Sequence, residues 1–249
     1  MMKTAILLSI YHANDAFLRE QLESIGAQTV SSVLLKRDDS ETHLGAMHSF
    51  ERLLTEADNF DYYAFADQDD VWKPQKMEEL LSAMQQAEKT YGTQMPLVVH
   101  CDLEVVDSEL KPIAPSFWQY SGLNPDMLDN NLPFLTISNT VTGCAMLLNA
   151  AARRVSLPFG KNAYMHDQWI AQSVLYAGGK VIPVHQSLVL YRQHGANTLG
   201  AVEYKGMRLR DLKEKHRLFW QAYRAGKGRC WHTLSAFVYW KTRHIIARL

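Results

Sequence analysis

The chain opens on a continuous apolar run, Thr4-Ala5-Ile6-Leu7-Leu8-Ser9-Ile10. This is the pattern of a strand buried on both faces of a parallel sheet. Asn14 or Asp15 can cap the helix that follows, in which Phe17, Leu18, Leu22 and Ile25 fall at helical spacing. Residues 32–35 predict a second strand, ending in Lys36-Arg37-Asp38-Asp39, and Met47, Phe50, Leu53 and Leu54 mark a second helix. A third strand over 62–66 runs into Asp67-Gln68-Asp69-Asp70. A helix from Lys73 to about Tyr91 comes next, with Met77, Leu80, Leu81 and Met84 inward. Further strands are predicted over 96–100, 140–148, 180–184 and 187–191, with a helix from about Tyr164 to Ala177. Strands alternating with amphipathic helices imply right-handed βαβ units and a mainly parallel α/β sheet.

In such sheets ligands bind at the carboxyl ends of the strands. Three polar clusters stand at the ends of the first three: Tyr11-His12-Ala13-Asn14, Arg37-Asp38-Asp39 and residues 67–70. Crowded carboxylates repel one another and are costly to desolvate, so a tight group beside a core strand calls for a cation. Hard oxygen ligands suit Mg²⁺ or Mn²⁺, which commonly also hold a substrate's phosphates. Asp70 has a second reading, as the cap of the helix expected from Lys73. Asp167, in the first turn of its helix, reads either as a cap favoured by the helix dipole or as a general base. The stretch 112–135 holds four of the eight prolines and the aromatics Phe117, Trp118 and Tyr120. Those rings either stack on a ligand or anchor the loop.

Composition adds little until it is divided. Hydrophobic residues make up 47% and charged ones 21% of the 249 residues, ordinary for a globular protein. The formal net charge of zero hides a split. Residues 201–249 carry 12 Lys/Arg against 3 Asp/Glu, a balance of +9, and residues 1–200 carry 14 against 23, a balance of −9. A domain over 1–200 and a basic helical extension over 201–249 follow. Within the extension, Ala225-Gly226-Lys227-Gly228 separates two helical stretches, and Trp231, Phe237, Tyr239 and Trp240 mix with Lys241, Arg243 and Arg248. This suits a helix lying on an anionic membrane surface, or a helical pair packed on the domain. No recognised nucleic-acid motif accompanies the charge, so no nucleic acid is expected. No apolar run reaches the ~18 residues of a bilayer span. Met1-Met2-Lys3 leads directly into a strand, so a cytoplasmic location is expected. Cys101, Cys144 and Cys230 are too few and too scattered for a disulfide framework or a zinc site.

Taken together, several motifs resemble those of the family 2 glycosyltransferases of the GT-A fold, and most of all those of bacterial polysaccharide rhamnosyltransferases. The matching elements are Ser9-Ile10-Tyr11, residues 18–29, Arg37-Asp38-Asp39-Ser40 and residues 65–72. After these come residues 100–107, His166-Asp167-Gln168-Trp169 and residues 191–198. The resemblance spans roughly residues 4–200. It implies that Ser9, Ile10, Tyr11, Asp38 and Asp39 bind a nucleotide, that Asp67 faces its ribose, and that Asp69 contacts a divalent Mn²⁺ or Mg²⁺. It further implies that Asp167 is the general base of an inverting transfer. Arg192 and His194 match a late segment that closes over the diphosphate or metal, with His194 either a metal ligand or a structural hydrogen-bonding group. The implied donor is a nucleotide-diphosphate sugar (dTDP-rhamnose or a UDP-sugar), and the implied acceptor a glycan or lipid-linked glycan. The expected setting is cell-surface polysaccharide or lipopolysaccharide synthesis at the inner membrane face.

The sequence departs from the family in residues 39–45, where a helix–strand excursion is missing. That departure predicts either a sheet trimmed by an edge strand or a weakened activity. It also keeps open a non-catalytic binding or scaffold protein of the same fold. A sugar-phosphate nucleotidyltransferase is a further alternative, but Tyr11-His12-Ala13-Asn14 lacks the Gly-rich phosphate loop expected of one.

Overall fold

The computed structural model describes residues 2–42, 44–195, 200–203 and 212–247. Eight strands form one mixed sheet: β1 (Thr4–Ile10), β2 (Val33–Asp38), β3 (Tyr62–Ala66), β4 (Val71–Trp72), β5 (Leu97–Val106), β6 (Pro112–Ala114), β7 (Met146–Asn149) and β8 (Lys180–Arg192). Their order is β2-β1-β3-β7-β5-β8-β4, with β6 paired to β5. β1 pairs in parallel with both β2 and β3, and β5 in parallel with β8. β7 runs antiparallel between β3 and β5, so β2, β1, β3, β5 and β8 all point one way and β4, β6 and β7 point back.

The helices are α1 (Asp15–Gly26), α2 (Ala46–Glu56), α3 (Lys76–Tyr91), α4 (Phe117–Tyr120), α5 (Pro125–Leu128), α6 (Leu132–Ile137), α7 (Ala150–Ser156), α8 (His166–Tyr176), α9 (Leu212–Gly226) and α10 (Leu234–Ala247). Strand side chains alternate between the two faces of the sheet. Ile6, Leu8, Tyr62, Ala64 and Ala66 meet α1 and α3 through Leu18, Leu22, Met77 and Leu80. Ala5, Leu7, Tyr63 and Phe65 meet α2 and α8 through Phe50, Leu53, Ile170 and Val174. Both faces of β1 and β3 are therefore covered, which is why these strands read as unbroken apolar runs.

Several boundaries differ from the sequence expectation. Val71 and Trp72 pair antiparallel with β8, so the third helix begins at Lys76 and not at Lys73. Its N-cap position is Gln75, which makes no side-chain cap bond. Asp70 does not cap it. A carboxylate oxygen of Asp70 instead accepts the Arg192 backbone N–H at 3.1 Å. The stretch expected to be a strand over 140–148 is a 3₁₀ turn (Gly143–Ala145) leading into the shorter β7. The two short strands expected after α8 are one long strand, because irregular pairing with β5 lets β8 bend without ending. The proline-rich stretch folds as α4, α5 and α6, with Ser116, Asn124 and Asn131 as side-chain caps.

The sheet ends at β2, in keeping with the missing excursion, and a short loop joins β2 directly to α2. Gly45 enters α2 at φ 76°, a left-handed conformation that a side chain would strain. His43 in that loop, residues 196–199 of the late motif and residues 204–211 of the basic segment lie outside the described residues.

Helices α9 and α10 pack on the domain through Ala222, Trp231, Phe237 and Ile137. The Phe134 ring meets those of Trp240 and His244 at 6.1 and 5.5 Å. Arg229, between the two helices, stacks over Trp169 at 3.8 Å and donates to Ser173 Oγ at 3.1 Å. One face of the pair is thus packed on the domain. On the other face of α10, Leu234, Val238, Tyr239 and Ile246 are exposed.

Candidate functional site

A cleft of about 910 Å³ opens at the carboxyl ends of β1, β2 and β3. Ser9, Tyr11, Asp39, Asp67, Asp69, Asp167 and His194, all expected site residues, line it together. Ile10, Asp38 and Arg192 do not.

The β2 side of the cleft is fixed by a buried carboxylate. Asp39 is 1% exposed and accepts from Arg37 Nε at 2.8 Å, from Thr42 Oγ1 at 2.9 Å and from Ser49 Oγ. Ser49 in turn accepts from Ser9 Oγ at 2.8 Å. Burial alone would raise the Asp39 pKa. The hydrogen bonds from Ser49 and Thr42 and the Arg37 guanidinium outweigh it and hold the carboxyl below the ordinary range. The Asp39 backbone N–H also bonds to Ile10 O at 2.9 Å, so Ile10 acts through its main chain. Asp38 points outward and accepts from Ser40 N at 2.9 Å.

At the β1 end, the Gln68 amide mimics a strand partner. Its oxygen accepts from Tyr11 N at 2.7 Å and its nitrogen donates to Tyr11 O at 3.0 Å. The next residue, His12, adopts φ 43°, an unusual backbone for a non-glycine residue and one often found at binding sites. Gln21 Nε2 anchors the Asp67 carbonyl at 2.8 Å. The acidic loop is thereby tied to both β1 and α1.

The carboxylates themselves are strained electrostatically. Burial pushes Asp67 well above the ordinary range, helped by the charges of Asp70, Asp69 and Asp167. Burial and the Asp69 charge push Asp70 up to about 7, against hydrogen bonds from the Cys144 thiol and the Arg192 N–H. Asp69 Oδ2 lies 2.7 Å from His194 Nε2, both groups part-exposed to the cleft. Arg192 lies behind this loop, 1% exposed, and holds it from below. Its guanidinium donates to the Asp69 and Ser108 carbonyls at 2.7 Å each and to the Glu20 carboxylate, and it stacks over Phe17 at 4.1 Å.

Two groups of side chains here bear on a divalent ion. Asp69 and His194 bring a carboxylate oxygen and an imidazole nitrogen together at the cleft surface, and of the two the carboxylate is the ligand type that Mn²⁺ or Mg²⁺ takes. Asp67, Asp70 and Cys144 also converge, with ligand atoms within 4.8 Å of one another. Burial and the two carboxylates hold the Cys144 thiol protonated, and the buried Lys76 ammonium donates to Cys144 O at 2.6 Å. Of that second set, the two carboxylates offer a hard cation oxygen ligands and the protonated thiol does not.

Asp167 occupies the first turn of α8, where it accepts from Gly143 N at 3.1 Å and from Gln168 N at 2.5 Å. Burial pushes its pKa up to about 6 against those two bonds. A carboxylate so placed ionises near neutrality and can take a proton. The aromatic stretch divides its work. Trp118 is buried and donates from Nε1 to Thr140 O at 3.1 Å, while Phe117 lines the cleft.

Sequence reasoning missed Ser49, His166 and Gln221, which also line the cleft. Ser49 carried a signal, being a polar residue beside Phe50 on the inward face of α2. Gln221, on α9, carried none.

No protein-family model matches this sequence, and a search of curated proteins finds no match either. Solved structures do match. Residues 1–349 of S. aureus TarS in complex with UDP-GlcNAc superpose with a TM-score of 0.60 at 12% identity, covering 98% of this chain and 73% of that one. The same TarS segment with UDP gives 0.60 at 11% identity, covering 98% and 72%. Without a ligand named, it gives 0.55 at 12%, covering 76% and 60%. At such identities the likeness establishes the fold, a GT-A-like mixed sheet flanked by helices.

Proposed function

We propose that this protein is an inverting glycosyltransferase that moves a sugar from a nucleotide-diphosphate donor to a hydroxyl acceptor. The observation that carries the reading is the meeting in one strand-end cleft of a poised carboxylate, Asp167, with the Asp69–His194 pair and the Asp39 wall. The superposition on a protein solved with UDP-GlcNAc and with UDP supports a nucleotide sugar as the occupant.

In this reading Ser9, Tyr11 and Asp39 hold the nucleoside and Asp67 faces its ribose. Mn²⁺ or Mg²⁺ held by Asp69 and His194 would neutralise charge on the departing diphosphate. The acceptor oxygen attacks the anomeric carbon as the bond from that carbon to the diphosphate oxygen breaks. Asp167 takes the acceptor proton. Attack opposite the leaving group inverts the centre. The resemblance favours dTDP-rhamnose or a UDP-sugar as donor, and a glycan or lipid-linked glycan as acceptor.

Arg192 keeps an indirect role, since its guanidinium holds the acidic loop from behind the cleft. No described helix is long and apolar enough to cross a membrane. The basic segment and the exposed residues Leu234, Val238, Tyr239 and Ile246 beside Arg243 suit a peripheral contact with anionic lipid at the cytoplasmic face. Sedimentation with anionic but not zwitterionic vesicles tests that contact.

The test of the activity is turnover of a panel of nucleotide sugars with and without Mn²⁺, for wild type and Asp69→Ala. Sugar release that needs the metal and is lost in the variant supports the reading. A chain that neither binds UDP or dTDP nor turns over any donor would refute it in favour of a scaffold.

A further inference from the structure

His166 is 3% exposed, sits at the wall of the cleft, and among the described residues has no hydrogen-bond partner for either ring nitrogen. The Phe50 ring packs on it at 4.2 Å and the Phe65 ring at 5.1 Å. Burial drives its pKa down to about 3, so the imidazole is neutral at any working pH. A neutral imidazole carries one donor and one acceptor, and leaving both unmade in a buried site costs stability. Such groups in a native fold call for an explanation.

The space around the ring points to a purpose. A Cβ on Gly143 would stand 2.2 Å from His166 Nε2, so this ring position requires glycine there. Gly143 also donates its N–H to Asp167, the adjacent residue, and lines the same cleft. The ring, the glycine and the poised carboxylate are one continuous wall. A phenylalanine would fill the Phe50–Phe65 site without a polar penalty, yet the chain places an imidazole there.

We propose that His166 is a binding residue for the transferred sugar or the attacking acceptor, whose hydroxyl supplies the partner that the free protein lacks. A hydroxyl both donates and accepts, matching a neutral imidazole without bringing charge into the wall. Because the ring nitrogens are covered in the free protein, engagement requires a small shift of the ring or of the Gly143 turn as the cleft fills. The inference rests on the transferase reading above and deepens it.

The experiment compares wild type, His166→Phe and His166→Gln by thermal melting, by affinity for UDP and dTDP, and by kcat and KM for the nucleotide sugars that wild type turns over. His166→Phe is expected to remain folded and to bind the bare nucleotides within about twofold. Its kcat/KM is expected to fall about tenfold or more, the scale of one lost hydrogen bond in a closed site. His166→Gln, which keeps a donor and an acceptor, should recover part of the loss. The proposal is overturned if His166→Phe keeps its kcat/KM or if glutamine recovers nothing. A wild type inactive on every donor removes the transferase reading and this inference together. An active wild type with an equally active phenylalanine variant removes the inference alone.

Discussion

Asp39 and Asp167 line one cleft, yet their surroundings drive them in opposite directions. Asp39 gathers a guanidinium and two hydroxyls, and stays ionised despite being 1% exposed. Asp167 accepts from two backbone N–H groups, with no cation beside it among the described residues, and burial raises it to about 6. The first is built to remain a fixed negative wall and the second to change protonation. Two carboxylates pushed apart in this way mark different roles in one site.

The largest expected effect comes from disabling the second of them. Asp167→Asn should lower turnover by about 10²–10⁴-fold, the usual worth of a general base, with UDP affinity little changed. The same change removes a carboxylate whose charged form burial disfavours. It also turns an NH2 toward one of the two N–H groups that the carboxylate oxygens now accept from, so the unfolding free energy at pH 7 should stay within about 1 kcal/mol of wild type. Turnover lost together with stability would show a structural role instead. Asp39→Ala should lower stability. It strands Arg37, Thr42 and Ser49, and should cost about 3 kcal/mol in urea unfolding while weakening nucleotide binding. Ser49→Ala removes one donor from Asp39 and should cost about 1 kcal/mol.

The pH dependence of stability also separates the pair. The folded pKa of Asp39 is depressed, so its stabilising contribution is present above the ordinary carboxylate range and is lost as pH falls through the depressed value. The folded pKa of Asp167 is raised, so its contribution is present below 3.8 and is lost as pH rises through about 6.

Much of this was legible before any coordinates. β1 and β3 are buried on both faces, so their apolar runs announced them, and Asn14 does cap α1. The strand-end clusters gathered into one cleft because parallel strands present their carboxyl ends together. What the residues did not reveal were long-range pairings. Val71 and Trp72 join the sheet only through a partner more than a hundred residues away, so Asp70 read as a cap although it receives the Arg192 N–H. Arg192 read as a residue facing phosphate, yet its guanidinium is spent on Asp69, Ser108 and Glu20. Gln221 reaches the cleft because α9 packs against the domain, a placement that no local pattern encodes.

The most direct measurement is the pH–rate profile of kcat for the wild-type protein at saturating nucleotide sugar. The account predicts a rate that rises about tenfold per pH unit up to about pH 6 and then levels, as Asp167 loses its proton and becomes the base. A rate flat from about pH 4.5 to 8 would contradict it.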